Sequence, residues 1–279
     1  MRGKAGRSRL PVVAIAGLGL VGGSLARALT RAGYRVIGVD RPEVLWEARV
    51  AGAVAETASR LEAAALAADV VVLAAPPRAN IDLLRRVARL RRPALIVTDV
   101  GSVKARICRE AGRLRLRGFV GGHPMAGSER SGFQASSADL FRDRPWILTP
   151  VRRTSRRALS VVLSLIRAAG ARPRRLAPGA HDRTVAFLSH VPQVLAWALL
   201  GATRRDPVAR RHVDVAGPGF RDMTRLARSP RSLWRQILVE NRREVSRALA
   251  ALRRSLGRSA PGGDRWPRTG RRRGSRRFA

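Results

Sequence analysis

The chain places one histidine and one carboxylate in a glycine-rich stretch, Gly121-Gly122-His123-Pro124-Met125-Ala126-Gly127-Ser128-Glu129. About a hundred residues earlier stands Gly17-Leu18-Gly19-Leu20-Val21-Gly22, which fits the G-x-G-x-x-G pattern of dinucleotide-binding turns. A cofactor site together with a base points to redox chemistry. Removing hydride from a secondary alcohol carbon requires a group that takes the hydroxyl proton, and neutral imidazole suits that task near neutral pH. His123 is the candidate base, on a loop whose Gly121, Gly122 and Gly127 would let a nicotinamide approach closely. Ser102, within Thr98-Asp99-Val100-Gly101-Ser102-Val103-Lys104, has two readings. It hydrogen-bonds a substrate hydroxyl or orients the histidine, or it caps a helix beginning at Val103. Glu129 stands either as a polar gate or substrate contact, or as a solvated loop acid.

In the fingerprint, Gly17 permits the tight turn, Gly19 lets the backbone approach a pyrophosphate, and Gly22 lets helix and strand pack closely. The helix N-terminus at Leu20 and Val21 supplies amide donors and a partial positive charge. Asp40 lies eighteen residues beyond Gly22, at the end of a second strand. A carboxylate there would accept hydrogen bonds from both ribose hydroxyls and repel a 2′-phosphate, which favours NAD over NADP. Arg41 is the dissenting residue, since its charge could neutralise a 2′-phosphate. Pro76 would touch the cofactor from the turn after the third strand, or is a plain turn proline.

The elements that must position these groups follow from the apolar pattern. Strands are expected at Val12 to Ala16, Arg35 to Val39, Asp69 to Ala74 and Ala94 to Thr98, then at Gly118 to Gly121, Trp146 to Thr149 and Arg172 to Ala177. Helices are expected at Ser24 to Ala32, Leu61 to Ala67, Ile81 to Leu90 and Arg156 to Ala169. Short all-apolar strands between helices indicate a parallel sheet buried on both faces. After Pro178 the strand pattern stops, and His181 to Leu200 and Ser232 to Leu252 read as long helices. The expected architecture is α/β: a Rossmann-type parallel-sheet domain over residues 10–177, an all-helical domain over 178–252, and a basic, disordered tail over 253–279.

Composition narrows the classes. With 279 residues and 45% hydrophobic content the chain is globular, and two domains are expected. Its formal net charge is +37, and all basic residues except Lys4 and Lys104 are arginine. That bias reads as GC-rich codon usage rather than a nucleic-acid surface, although such a charge attracts polyanions non-specifically. Without its tail the chain would still carry +28. The single cysteine, Cys108, excludes an internal disulfide framework and a cysteine-based metal cluster, and fits a reducing cytoplasm. The basic Met1 to Arg9 and apolar Leu10 to Val21 have the outline of a secretory signal, but the glycine register favours a buried strand. Thr184 to Thr203 carries no charged side chain over nearly membrane-spanning length, yet Ser189, His190, Pro192 and Gln193 favour a buried helix and no membrane.

Five segments in order resemble the prephenate dehydrogenase family, which includes arogenate and cyclohexadienyl dehydrogenases. They are the opening Gly17 to Ala26, Asp99 to Lys104, Gly121 to Glu129, His181 to Gln193 and Gly217 to Ser229. The resemblance implies NAD-dependent oxidative decarboxylation of prephenate in tyrosine biosynthesis, or of arogenate, by a cytoplasmic homodimer paired through its helical domains. It implies that His123 deprotonates the ring hydroxyl with Ser102 sharing the contact, and that Arg225 binds a substrate carboxylate by a bidentate pair. His181 and Asp182 would line the site, or cap and orient a helix; Trp234 would stand near the substrate arginine, or in the core. Gln193 departs from the histidine that many members place there in contact with substrate, and this leaves prephenate against arogenate open. His190, His212 and Cys108 read as structural, and no metal is expected. A reading from another class is a basic nucleic-acid-binding protein on a vestigial nucleotide fold. The absence of aromatic-rich basic patches counts against it.

Overall fold

The computed structural model describes residues 9–259. Strands β1 (Val13–Ala16), β2 (Val36–Val39), β3 (Glu56–Ala58), β4 (Val70–Leu73), β5 (Ile96–Asp99), β6 (Phe119–Pro124), β7 (Pro145–Pro150) and β8 (Arg172–Arg175) form one sheet. The helices between them are α1 (Leu20–Arg31), α2 (Pro42–Val50), α3 (Leu61–Ala67), α4 (Pro77–Arg89), α5 (Ala105–Arg113) and α6 (Arg156–Ala168). The remainder is helical: α7 (Pro178–Val185), α8 (Val191–Arg205), α9 (Pro207–Arg211), α10 (Pro218–Arg225), α11 (Arg231–Glu240) and α12 (Arg242–Ser259).

The strand order is β3-β2-β1-β4-β5-β6-β7-β8, parallel throughout except that β7 runs against β6. Along β1 the side chains alternate between two cores. Val13 and Ile15 pack on one face with Leu25, Leu29 and Val162, while Ala14 and Ala16 pack on the other with Ile81, Leu84 and Ile107. Helices cover both faces, so the central strands β1, β2 and β4 carry no polar positions. The crossover reverses between β1 and β4, which places the glycine turn in the crevice at the carboxyl edge. Leu10 to Val21 is therefore a central buried strand, the glycine turn and the start of α1.

Several expected boundaries move. Helix α1 begins at Leu20, directly on the glycine turn, rather than at Ser24. Elements α2 and β3 have no counterpart in the expected pattern, and α5 begins at Ala105 rather than Val103; β3 is a three-residue edge strand, Glu56-Thr57-Ala58, with no apolar run to mark it. The long helix expected to Leu252 is broken at Asn241, whose side chain donates to the Asp182 carbonyl at 2.8 Å and pairs with His190 at 3.1 Å. Helix α12 then runs to Ser259, so residues 253–259, assigned to a disordered tail, are helical. The rest of that expected tail lies outside the described residues.

The run from Pro178 to Arg205 is one helical rod, with a wider π-type turn at Ala186–His190. By length and composition it is the one helix among the described residues able to cross a membrane. Its polar residues His181, Asp182, His190 and Gln193 are buried against protein. Only 33% of its apolar window is buried, however, and Phe187, Leu188 and Leu199 are exposed, so the buried helix expected here is buried in part only.

Candidate active site

The glycine turn is shaped by close approach. Gly17 has φ +98, open to glycine and strained for other residues, and a Cβ on Gly22 would overlap the Gly17 carbonyl oxygen. A Cβ on Gly19, the N-cap of α1, would meet nothing within 4 Å. The turn is thus tight where it packs and open where a phosphate would lie on the helix N-terminus. Leu20 and Val21 form the first turn of that helix. Asp40, half-buried, accepts from the Leu18 N–H at 2.6 Å through Oδ2 and from the Arg41 N–H at 2.7 Å through Oδ1. Its carboxylate is therefore held against the turn, where a ribose attached to that phosphate would fall. These residues fit a dinucleotide. Pro76 is exposed and is the N-cap residue of α4.

His123 does not lie on a loop. It is the fifth residue of β6, a strand buried along its whole length, and is 7% exposed. The neighbouring glycines are explained by packing. A Cβ on Gly122 would stand 2.6 Å from the Asp99 carbonyl oxygen, and one on Gly121 would overlap the Thr149 hydroxyl. Only Gly127, in the loop that follows, has open space around it. Beneath this strand Lys104 and Asp99 form an ion pair at 0% and 1% exposure. Lys104 Nζ also donates to the Gly122 carbonyl at 2.8 Å, and Asp99 accepts from the Gly101 N–H at 2.9 Å and the Gly122 N–H at 3.2 Å. This pair ties the carboxyl ends of β5 and β6 together beside His123.

His123 Nδ1 is 2.8 Å from His181 Nε2, and His181 Nδ1 is 2.8 Å from Asp182 Oδ1. Asp182 in turn accepts from the backbone N–H groups of Lys104, at 2.7 Å, and Ala105, at 2.9 Å. These are donors at the start of α5, so Asp182 caps that helix from α7. Ser102 therefore does not cap α5: the helix begins at Ala105 and its N-cap residue is Lys104. The Ser102 side chain is half-buried, and its hydroxyl makes no hydrogen bond among the described residues. His181 is fully buried with both ring nitrogens engaged, which leaves no atom for the substrate contact expected of it. Spacing gave no sign of the pairing, since 58 residues separate the two histidines.

Burial above all, then the neighbouring His181, Lys104 and His190, holds His123 well below the ordinary histidine value. Burial also lowers His181, against the opposing pull of Asp182. Both imidazoles are neutral at physiological pH. His190, again by burial, is pushed down to about 4, and stands edge-on to Trp234 at 5.9 Å. Trp234 meets Trp197 as well, so it belongs to an aromatic cluster.

Arg225 stands in the helical region and reaches the loop after β6. It ends α10, is half-exposed, and pairs with Glu129 Oε2 at 3.1 Å. Glu129 is therefore neither free nor fully solvated. Gln193 is buried, donating through Nε2 to the Leu226 carbonyl at 2.8 Å, with Oε1 left without a partner. Cys108 is buried under β6, His212 is exposed at the end of α9, and no cluster suited to a metal ion is present among the described residues.

Two family profiles cover most of the chain: the nucleotide-binding domain of prephenate dehydrogenase matches residues 25–174, and its dimerization domain matches residues 177–260. A prephenate dehydrogenase of Bacillus subtilis is 34% identical over 244 residues, covering 84% of this chain and 65% of that protein. The chain thus spans just under two thirds of that relative's length. The crystal structure of prephenate dehydrogenase from Aquifex aeolicus, in complex with hydroxyphenyl propionate and NAD+, superposes with a TM-score of 0.83 at 30% identity, over 89% of each chain. Synechocystis arogenate dehydrogenase superposes with a TM-score of 0.76, also at 30% identity, over 88% of this chain and 89% of its own. With both domains matched in order and the relatives aligned across both, the chain belongs to the prephenate dehydrogenase family.

Proposed function

We propose that this chain catalyses the NAD-dependent oxidative decarboxylation of prephenate to 4-hydroxyphenylpyruvate in tyrosine biosynthesis. The observation that carries the reading is His123, a buried, neutral imidazole at the carboxyl edge of the sheet, with Nδ1 held by His181 and Nε2 uncommitted. Bound at the glycine turn and Asp40, NAD supplies the hydride acceptor. His123 Nε2 takes the ring hydroxyl proton as the ring C–H bond gives up its hydride. The ring carboxylate then leaves as CO2, its C–C bond electrons completing the aromatic ring, and His123 returns the proton to the phenolic oxygen. Ser102, with its hydroxyl uncommitted, shares the contact to the substrate oxygen. Arg225 exchanges Glu129 for a substrate carboxylate, and a bidentate guanidinium pair fixes the ring over the base.

Purified protein is expected to reduce NAD when given prephenate, and His123→Asn to abolish turnover while cofactor binding persists. Turnover retained by that variant would remove His123 from the role of base. Arogenate is the second reading, supported by the likeness to the Synechocystis enzyme and by Gln193. Its buried amide oxygen lacks a donor, and arogenate offers an ammonium where prephenate has a keto group. Comparing kcat/KM on the two substrates decides between them.

A homodimer paired through the helical region belongs to the same proposal. Phe187, Leu188, Val213, Val215 and Met223 are exposed apolar side chains of that region, of the kind an interface would cover. So does a division near Ala177 between nucleotide and helical domains, the latter continuing along α12. A cytoplasmic setting is supported by the lone, buried cysteine.

A further inference from the structure

The hydrogen-bond chain behind His123 has a direction. Asp182 lies at the N-terminus of α5, where two backbone N–H groups and the helix dipole favour a carboxylate. A carboxylate only accepts, so His181 Nδ1, 2.8 Å from Asp182 Oδ1, carries the hydrogen and donates. A neutral imidazole has one N–H, and His181 Nε2 is therefore a bare lone pair. Only a donor satisfies that lone pair across 2.8 Å, so His123 Nδ1 carries its hydrogen toward His181. The lone pair of His123 is then on Nε2. We infer that Asp182 and His181 are positioning residues that set the tautomer of His123, keeping Nε2 unprotonated and able to act as a base. The inference rests on His123 being the base, and adds what makes it competent.

Without Asp182 the same two rings satisfy each other equally well in the opposite sense. His181 Nε2 would then donate to His123 Nδ1, which puts the single hydrogen of His123 on Nε2. That ring faces substrate as a donor and cannot take a proton. Asp182 is itself fixed, because Asn241 holds its main-chain carbonyl at 2.8 Å while the α5 amides hold its side chain. The direction is thus set by a helix N-terminus and transmitted through two rings. When Nε2 takes the substrate proton, the same bonds carry part of the new positive charge toward the carboxylate, the service an aspartate gives to a histidine in hydrolytic triads.

The direct test is nitrogen-15 NMR of the histidine-labelled full chain at neutral pH, without ligand. With four histidines in the sequence, substitution of each assigns the spectrum. His123 is expected to be protonated at Nδ1 and bare at Nε2; the reverse tautomer in the unsubstituted protein overturns the inference. His181→Leu removes the acceptor and is expected to lower kcat about 100-fold or more, with KM for prephenate within about threefold, on the scale of a lost general base. His181→Gln, whose amide oxygen can accept from His123 Nδ1, is expected to recover a large part of that loss. Equal kcat values in the Leu and Gln variants overturn the inference. The spectrum needs no turnover, so its outcome stands apart from the fate of His123→Asn: an active His123→Asn protein removes the base, whereas a reversed tautomer removes only the role of Asp182 and His181.

Discussion

Lys104→Met isolates the ion pair that underlies the site. The side chain keeps its length and loses its ammonium, at a position with no exposed surface. Asp99 is then a carboxylate at 1% exposure that has lost its countercharge but keeps the Gly101 and Gly122 N–H groups. Removing one partner of a buried pair costs about 3–5 kcal/mol, because the remaining charge is left desolvated and uncompensated. The two surviving hydrogen bonds place this case near the lower end, at about 3 kcal/mol. The Gly122 carbonyl also loses its donor, one residue before His123, so kcat should fall beyond the loss of folded protein. Urea unfolding at fixed protein concentration measures the first effect, and steady-state turnover at saturating substrates the second. Adding Asp99→Asn removes the stranded charge, so the double variant is expected to be more stable than Lys104→Met alone, by about 1–2 kcal/mol. A cost below about 1 kcal/mol for Lys104→Met, or simple additivity in the double variant, would refute the view that this pair holds β5 and β6 in register.

Three other outcomes follow from the geometry. Gly22→Ala forces a Cβ onto the Gly17 carbonyl and must open the turn; NAD affinity by titration is expected to fall at least tenfold, about 1.4 kcal/mol, and an unchanged Kd would contradict the packing. Arg225→Gln removes a charged donor, worth roughly 1.5–3 kcal/mol to a carboxylate, so KM for prephenate should rise roughly tenfold to a hundredfold; an unchanged KM would leave Arg225 as a partner of Glu129 alone. Acid should destabilise the protein through its buried histidines. His123, His181 and His190 all titrate lower when folded, so below about pH 6.5 the unfolded chain binds more protons and stability falls with pH. His190 alone, at about 4, should cost ~3 kcal/mol by pH 4. Urea midpoints that stay flat between pH 7 and 5, above the range from 4.5 down to about 2 over which Glu62 and Glu110 lose their contribution, would refute this.

What the sequence discloses of this protein depends on how local each constraint is. The glycine fingerprint is legible because Gly17 and Gly22 answer to atoms within the same turn or the adjacent strand end, and Asp40 to an amide of that turn. The strands are legible because burial on both faces leaves an apolar run, as in Val70 to Leu73. That same burial misleads at β6. A strand covered on both faces has no period-two signal, and its Gly-Gly and Pro read as loop, although the glycines are there because Asp99 and Thr149 press against the backbone. Asn241 is hidden for the opposite reason. The apolar periodicity continues across it, and the break comes from the polar contacts its side chain makes with Asp182 and His190.

The functional residues divide in the same way. His123 is found from its own chemistry, as a base needs an imidazole wherever it sits, but what makes that imidazole neutral and directional lies elsewhere in the chain. Lys104 stands in the motif beside Ser102 with no role that spacing could assign, and it acts by holding Asp99 and the Gly122 carbonyl beneath the base. His181 and Asp182 read as lining or capping residues, and Asp182 does cap a helix, α5, which begins 77 residues before it. One carboxylate therefore serves two ends. It closes α5 on the sheet and orients two histidines across the junction with the helical region, so an alteration that separates α7 from α5 would disable the base without touching any group that contacts substrate.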